Sequence, residues 1–139
     1  MIKDYVVIGA GVVGSFIVKA LGGWDESVTA LILFMGIDYV TGMMVAGVFH
    51  KSPKTISGGI ESKAGWQGLC RKCVTLLFVM IAHYLDVILH IDYVRNAVII
   101  GFLTNELISI IENAGLMGIP LPSPITKALE LLKDKQDKE

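Results

Sequence analysis

Four apolar segments, each about as long as a membrane-spanning helix, constrain this chain more than any other feature. An α-helix rises ~1.5 Å per residue, so about 20 apolar residues cross the ~30 Å hydrocarbon layer of a bilayer. Of the 139 residues, 53% are hydrophobic and only 18% are charged. The sequence therefore predicts an all-α integral membrane protein with four transmembrane helices. We place them at residues 5–24, 28–49, 73–91 and 96–114.

The first and the last of these segments are the least regular. Lys19 interrupts the first segment, and Glu106 and Glu112 lie in the fourth. We expect Lys19 to extend its ammonium group towards the membrane surface. Three crossings, with the first segment lying at the membrane interface, are therefore kept as the alternative to four.

The positive charges indicate the orientation in the membrane. The loop 50–72 and the C-terminal tail carry most of the Lys and Arg residues, and positive charge marks the cytoplasmic side. Four crossings then place both termini in the cytoplasm, with only Lys19 and Arg95 outside the predicted inner regions. Three crossings move the N-terminus to the other side. We expect a multi-pass protein of the cytoplasmic membrane, with domain 1–114 in the bilayer.

A glycine pattern in the first segment resembles a dinucleotide-binding turn. Such a turn follows a buried strand in a soluble α/β domain with a whole parallel sheet, and the pattern alone is weak evidence. In an apolar helix the same small residues indicate close helix packing, because residues four apart share one face. The predicted packing positions are Ala10, Gly11, Gly14, Ser15, Gly42 and Ala46. We therefore reject a soluble dinucleotide enzyme and expect no cofactor.

Three carboxylates lie within the apolar segments, namely Asp38, Asp86 and Glu106. A charged side chain at the bilayer centre costs about 2.5–3.5 kcal/mol on insertion scales, so these groups should face other helices or water. We expect them to hold a helix assembly together or to line a path, with Lys19 as a further intramembrane polar candidate. The alternative is that each carboxylate only hydrogen-bonds to a neighbouring helix.

Other polar groups give no catalytic or metal site. Cys70 and Cys73 lack the second pair of ligands that a structural zinc site needs. We interpret them as two reduced thiols at the membrane interface, with a redox-active pair as the alternative. His83, Asp86 and His90 share one helical face, but they would need ligands from elsewhere to bind a metal. The net charge of −1 gives no sign of nucleic-acid binding. We expect no metal site.

The region 115–139 differs from the rest of the chain. Pro120, Pro122 and Pro124 exclude a continuous helix. Ser123 followed by Pro124 is typical of a helix start, and apolar residues then recur at helical spacing. The sequence predicts a cytoplasmic proline-containing link and a short amphipathic helix that lies on the membrane or packs on another subunit.

Short motifs along residues 28–135 resemble the phage lysis and toxin-secretion holins. They are "FMGIDYVTG" (34–42), "SGGIESKAGWQGLCRK" (57–72), "YLDVIL" (84–89) and "NELISIIENAGLMGIPLPSPITKALELL" (105–132). The matching positions are Asp38, Gly42, Ser57, Gly58, Lys63, Gly65, Gly68, Arg71, Lys72, Asp86, Glu106, Ser109, Glu112, Asn113, Gly118, Pro120 and Pro122.

The resemblance implies a non-enzymatic protein that accumulates in the lipid bilayer as a homo-oligomer. It would then form lesions that release an endolysin during host lysis, or export a toxin, and an antiholin is a candidate partner. The intramembrane carboxylates are also compatible with a second class, a small oligomeric ion channel or ion-coupled transporter.

Overall fold

The structure, a computed structural model, describes residues 1–138, and that range folds into five α-helices without a β-strand. The prediction of an all-α protein is thereby confirmed. The helices are α1 (Ile2–Ala20), α2 (Glu26–Gly47), α3 (Ser62–Leu89), α4 (Val94–Leu116) and α5 (Ser123–Lys138).

Three of these helices, α2, α3 and α4, are long and apolar enough to cross a membrane. The α1 segment is a continuous helix of 19 residues, as expected. However, α1 carries Lys3, Asp4 and Lys19, and it is not among the helices that are apolar enough to cross a membrane. Three helices therefore qualify as membrane spans by length and composition, and the fourth crossing expected for α1 is not shown, because every stretch of this helix that is long enough includes all three charged residues.

Helix α3 begins earlier than the sequence predicts. The expectation placed 50–72 in a loop and started the helix at residue 73, but α3 begins at Ser62. Glycine disfavours helices by about 1 kcal/mol, yet tertiary packing overrides this preference here. Gly65 lies against the hydroxyl oxygen of Tyr39 on α2, and Gly68 lies against the ring of the same tyrosine. The 28 residues of α3 span ~42 Å, so the helix is longer than the hydrocarbon layer.

The apolar core lies where α2, α3 and α4 meet near the α1–α2 and α3–α4 turns. Leu31, Val79 and Ile99 contribute one fully buried side chain from each of the three helices. Leu21 and Val28, near the turn between α1 and α2, and Met35 of α2 complete the same cluster. Many apolar side chains outside this core remain exposed, which is the arrangement expected when lipid rather than water surrounds a protein.

Helix α1 makes few contacts with the rest of the protomer. Val12 and Phe16 are exposed, and only the residues at its C-terminal end, Ala20 and Leu21, are buried. Side chains built at Gly11 and Gly14 would meet no atom within 4 Å, so the small-residue face of α1 has no partner within the protomer.

The small residues of α2 lie in different surroundings from those of α1. Ala46 is buried, and a side chain at Gly42 would approach Asn113 of α4 to 3.8 Å.

Helix α5 folds back along α4. Gly118, with a left-handed φ of +77°, follows the end of α4, and a proline-containing link then leads to α5, which begins at Ser123. Leu129 and Leu132 are partly buried, and the side-chain nitrogen of Gln136 lies 3.4 Å from the Cβ position of Gly101. The amphipathic helix thus packs on α4 of its own chain, whereas we expected the membrane surface or another subunit.

This position brings charged groups alongside a membrane-spanning helix. Gly101 precedes Leu116 by 15 residues, which corresponds to ~22 Å along α4 and to more than half of the ~30 Å hydrocarbon layer. The end of α5 near Gly101 carries five charged residues, Lys133, Asp134, Lys135, Asp137 and Lys138. Each charge facing lipid near the bilayer centre would cost about 2.5–3.5 kcal/mol. The packing of α5 on α4 therefore requires water or polar groups on this side of α4.

One ion pair and several hydrogen bonds to the backbone, here called the Arg95 cluster (Asp25, Asp86 and Arg95), join the turns at one end of the bundle. Arg95 Nε donates to the Leu21 carbonyl at 2.6 Å, and Arg95 Nη1 donates to Asp25 Oδ2 at 2.7 Å. Asp86 of α3 accepts hydrogen bonds from the backbone N–H groups of Val94 (2.9 Å) and Arg95 (3.0 Å). The cluster thus satisfies free backbone groups at the end of α1 and the start of α4.

Asp25 combines two roles in this cluster. Its Oδ1 accepts from the backbone N–H of Val28 at 3.0 Å and so caps the start of α2. The hydrogen bond from Arg95 lowers the pKa of Asp25 below its usual value, since it stabilises the charged carboxylate. A carboxyl group whose pKa is lower in the folded state stabilises the fold above its unfolded pKa. That stabilisation is lost as the pH falls through the folded pKa.

We predict that Arg95→Ala destabilises the protein at pH 7 by about 2 kcal/mol, because hydrogen bonds to charged groups are lost. The difference from wild type should narrow below about pH 4, where Asp25 becomes protonated in the unfolded and then in the folded state. Thermal unfolding in detergent, followed by circular dichroism from pH 7 to pH 3, measures both effects. Arg71→Ala, at an exposed position, is the control. A difference that stays constant to pH 3 would contradict the role of Asp25.

Candidate functional site

A buried ammonium group joins the three membrane-spanning helices. Lys72 Nζ of α3 donates to Asp38 Oδ2 of α2 and to Glu106 Oε2 of α4, each at 2.7 Å. The side chains of these three residues are only 15%, 8% and 13% exposed, respectively. We call these residues, together with Asn113, the Lys72 cluster.

The charges of this cluster do not balance. One ammonium faces two carboxylates, and the two bonded oxygens lie at most twice the 2.7 Å bond length apart. Two carboxylates at this separation repel each other strongly in a medium of low dielectric constant. Lys72 therefore determines whether α2 and α4 can keep their acidic side chains together, and its own position depends on the early start of α3.

Asn113 adds a second connection between α2 and α4. Its Nδ2 lies 2.8 Å from Thr41 Oγ1 and 3.2 Å from Asp38 Oδ1. It also lies 3.3 Å from the Asp38 carbonyl oxygen. Among the described residues, no buried side-chain nitrogen or oxygen lacks a hydrogen-bond partner. The cluster is thus internally satisfied, as a polar group in a membrane must be.

A cavity of about 290 Å³ adjoins the Lys72 cluster. Asp38, Lys72 and Glu106 line it together with polar residues of α4, and residues 52–55 and 59–61 of the loop between α2 and α3 line another side. The loop is held by its own hydrogen bonds, among them Ser52 N–H to the Gly58 carbonyl at 2.9 Å. Gly58 has φ +75°, and a side chain there would collide with the His50 carbonyl oxygen. Only glycine fits this position.

Most positions that carry the resemblance to holins surround this cavity. They come from α2, α3 and α4, which are far apart in the sequence. The lining positions are Asp38, Gly42, Gly65, Gly68, Arg71, Lys72, Glu106, Ser109 and Asn113. The remaining ones lie in the loop (Ser57, Gly58), on exposed helix faces (Lys63, Glu112), in the link before α5 (Gly118, Pro120, Pro122) and in the Arg95 cluster (Asp86).

The four polar residues that the sequence predicts within the membrane lie in three different parts of the structure. Asp38 and Glu106 meet through Lys72, but Asp86 lies in the Arg95 cluster and takes no part in that contact. Lys19 is exposed at the end of α1.

The residues considered as metal or redox groups also have defined positions. His83 stacks edge-on against Tyr84, with ring centroids 5.1 Å apart, and Cys70 and Cys73 are exposed free thiols. Within residues 1–138, no group of three or more metal-ligating side chains comes together.

Sequence reasoning missed the roles of two cations. The sequence predicts Lys72 at the end of a loop, although this residue directly precedes the apolar run that starts at Cys73. The predicted span 73–91 contains no lysine or arginine, and Lys72 lies one residue before it. This position could have indicated that Lys72 pairs with an acidic residue of another span. In the sequence, Arg95 stands out only as an exception to the charge distribution. A lone arginine close to Asp86 and Asp92 indicates an ionic contact, but Asp25 could not be recognised as its partner from spacing.

The helices and the polar clusters together define a class, that of small multi-pass helical membrane proteins with ion pairs between their spans. Comparison with protein-family models narrows this class. The model of the bacteriophage holin family matches residues 15–134. The chain therefore belongs to the bacteriophage holin family, which confirms the resemblance found in the motifs.

Individual relatives extend over most of the chain. A protein of Halalkalibacterium halodurans, described as uncharacterized, is 35% identical over 93% of this chain and 94% of its own length. An uncharacterized protein of Listeria monocytogenes is 34% identical over 100% of this chain and 91% of its own length. The probable holin of Bacillus phage phi105 is 29% identical over 74% of this chain and 71% of its own length. No solved structure matches the chain significantly.

We predict that Lys72→Met lowers the free energy of unfolding by about 3–5 kcal/mol, because it leaves two buried carboxylates without a cation. Adding Asp38→Asn and Glu106→Gln to Lys72→Met should recover much of the loss, since no unpaired charge then remains. Unfolding of the detergent-solubilised protein, followed by circular dichroism, measures these differences. Lys63→Met is the matched control, because Lys63 is an exposed lysine of the same helix. Equal stability of Lys72→Met and Lys63→Met would contradict the bridging role.

Proposed function

We propose that this protein is a holin that oligomerises in the cytoplasmic membrane and opens lesions through which an endolysin leaves the cell. The observation that carries this proposal is the Lys72 cluster, in which two carboxyl groups share one ammonium between three helices that are long and apolar enough to cross a membrane. Membership in the holin family supports the same function. We assign the protein no catalytic role.

The Lys72 cluster provides a physical basis for two states. In a protomer surrounded by lipid, separating Lys72 from Asp38 and Glu106 would expose charges to hydrocarbon, so the helices stay together. Where water reaches the helices, exposed ion pairs contribute little to stability, and the separated groups can be hydrated. The same side chains would therefore close the protomer in lipid and line a water-filled lesion after assembly.

The outer surface of the protomer supports assembly. Apolar side chains remain exposed on α2 and α3, and the small-residue face of α1 has no partner in the protomer. Small residues allow helix backbones to approach closely in a membrane, where van der Waals packing drives association. Association depends on concentration, so assembly would follow the accumulation of protein in the membrane.

We also propose an orientation. The loop between α2 and α3 and the C-terminal tail carry most of the lysines and would face the cytoplasm. The charged residues of α1 lie near its two ends, where side chains can reach the membrane surface, so α1 would form a fourth crossing. The N-terminus would then also be cytoplasmic.

We propose that an endolysin, and not a toxin, passes through the lesion. The relative from phage phi105 is described as a probable holin, which favours release of an endolysin over export of a toxin. An antiholin would be a further partner. The second candidate function is an ion channel or ion-coupled transporter, which the cavity beside Asp38 and Glu106 favours.

Inducible expression in bacteria, with and without an endolysin, tests the proposed function. We expect the membrane potential to collapse abruptly after a delay in both cultures, and the optical density to fall only where the endolysin is present. A gradual change in potential that begins with expression, without endolysin release, would favour the channel.

We predict that Asp38→Asn and Glu106→Gln each lengthen the delay before lysis, because each leaves one carboxylate paired with Lys72 and removes the repulsion between two neighbouring carboxylates, which opposes the closed protomer. The time from induction to the fall in optical density measures the effect at matched protein levels in the membrane. Asp92→Asn, at an exposed position in the turn between α3 and α4, is the control. Lysis of both cluster variants on the wild-type schedule would show that these charges take no part in triggering.

A further inference from the structure

The position of α5 conflicts with a bilayer around the protomer. Helix α5 contacts no helix other than α4 within the described residues. Its partly buried leucines, Leu129 and Leu132, face α4, whereas Leu131 is 70% exposed. At Gly101, α4 is more than half the thickness of the hydrocarbon layer away from its C-terminal end, and the charged end of α5 lies beside it. Lipid cannot solvate these charges at that depth.

The segment before α5 is suited to a change of position. Helix α4 ends at Leu116, Gly118 has a left-handed φ of +77°, and the link up to Pro122 is not helical. Prolines in the link prevent α4 and α5 from joining into one helix. Because α5 depends on α4 alone, it can leave α4 without disturbing the contacts among α1, α2, α3 and α4.

The composition of α5 matches a membrane surface. An amphipathic helix with apolar residues on one face lies in the interface and keeps its charges in water. On α5, Ile125, Leu129 and Leu132 form the apolar face, and four lysines alternate with acidic residues elsewhere on the helix. If α5 left α4, its apolar face would lose a small contact with α4 and gain a larger one with lipid. The charged groups of α5 would then all be hydrated.

We propose that α5 is a movable helix with two positions, which rests on the proposed function. In a protomer surrounded by lipid, α5 lies on the inner membrane surface with its apolar face in the lipid. It docks on α4, with Gln136 beside Gly101, only after assembly brings water to this side of α4. The docking face of α4 is therefore the face that meets water in the open lesion.

Distances between two spin labels test this proposal on the full chain. The background carries Cys70→Ser and Cys73→Ser, which remove the exposed thiols. Labels are attached at Asn96→Cys on α4 and Gln136→Cys on α5. In the docked position, Gln136 is level with Gly101, ~7.5 Å from Asn96 along α4. In the surface position, it lies at or beyond the level of Leu116, ~30 Å away.

The measurement uses vesicles of phosphatidylglycerol and phosphatidylethanolamine, with the labelled protein diluted in unlabelled protein. We expect the long distance in sealed vesicles at low protein density and the short distance at a high density where the vesicles release a trapped dye. Labels at Asn96→Cys and Glu112→Cys, both on α4, form the control pair and should keep one distance throughout.

Two results would overturn the proposal, namely the short distance in sealed vesicles or the long distance in permeable ones. A short distance that appears only without dilution would assign the contact to another subunit and would also overturn it. Vesicles that stay sealed at every density would instead refute the proposed lesion, together with docking in the lesion. The distance measured in them would still decide whether α5 leaves α4 in lipid.

Discussion

The bond between one lysine and two carboxylates is the interaction on which the arrangement of the spans depends. Lys72 neutralises part of the charge that Asp38 and Glu106 bring between the helices, and each contact is 2.7 Å long. In hydrocarbon there is no water to take over this role, and lipid is as apolar as the leucines of the protein. Polar contacts therefore determine how α2, α3 and α4 pack on one another, although most of the protein surface is apolar.

The two polar clusters act at different places along the same helices. The Arg95 cluster satisfies backbone groups at helix ends, and its geometry relates α1 to the starts of α2 and α4. The Lys72 cluster lies within the spans and adjoins a cavity. Between them, Leu31, Val79 and Ile99 form the small apolar core. A bundle of this kind is held together in lipid but can open where water enters, because one of its clusters sets two carboxyl groups against a single ammonium.

Hydropathy and length were sufficient to predict the helical architecture, because a helix that crosses a bilayer must be apolar over about 20 residues. They predicted α2 and α4 to within a few residues and the amphipathic α5 from its start at Ser123. They failed for residues 62–72, where glycines and lysines are typical of a loop but tertiary contacts with Tyr39 support a helix. The crossing assigned to α1 is likewise not settled by hydropathy, because its charges lie at the helix ends.

The sequence by itself determined that Asp38, Asp86 and Glu106 could not face lipid, since the cost of burying a charge depends only on the residue and its depth. Only the tertiary structure decided which partners they have. Two of them share Lys72, and the third caps a helix, because the rotation of each helix and the early start of α3 control which side chains meet. The helix rotations and the start of α3 depend on packing between segments that are distant in the chain, so a local sequence pattern cannot predict them.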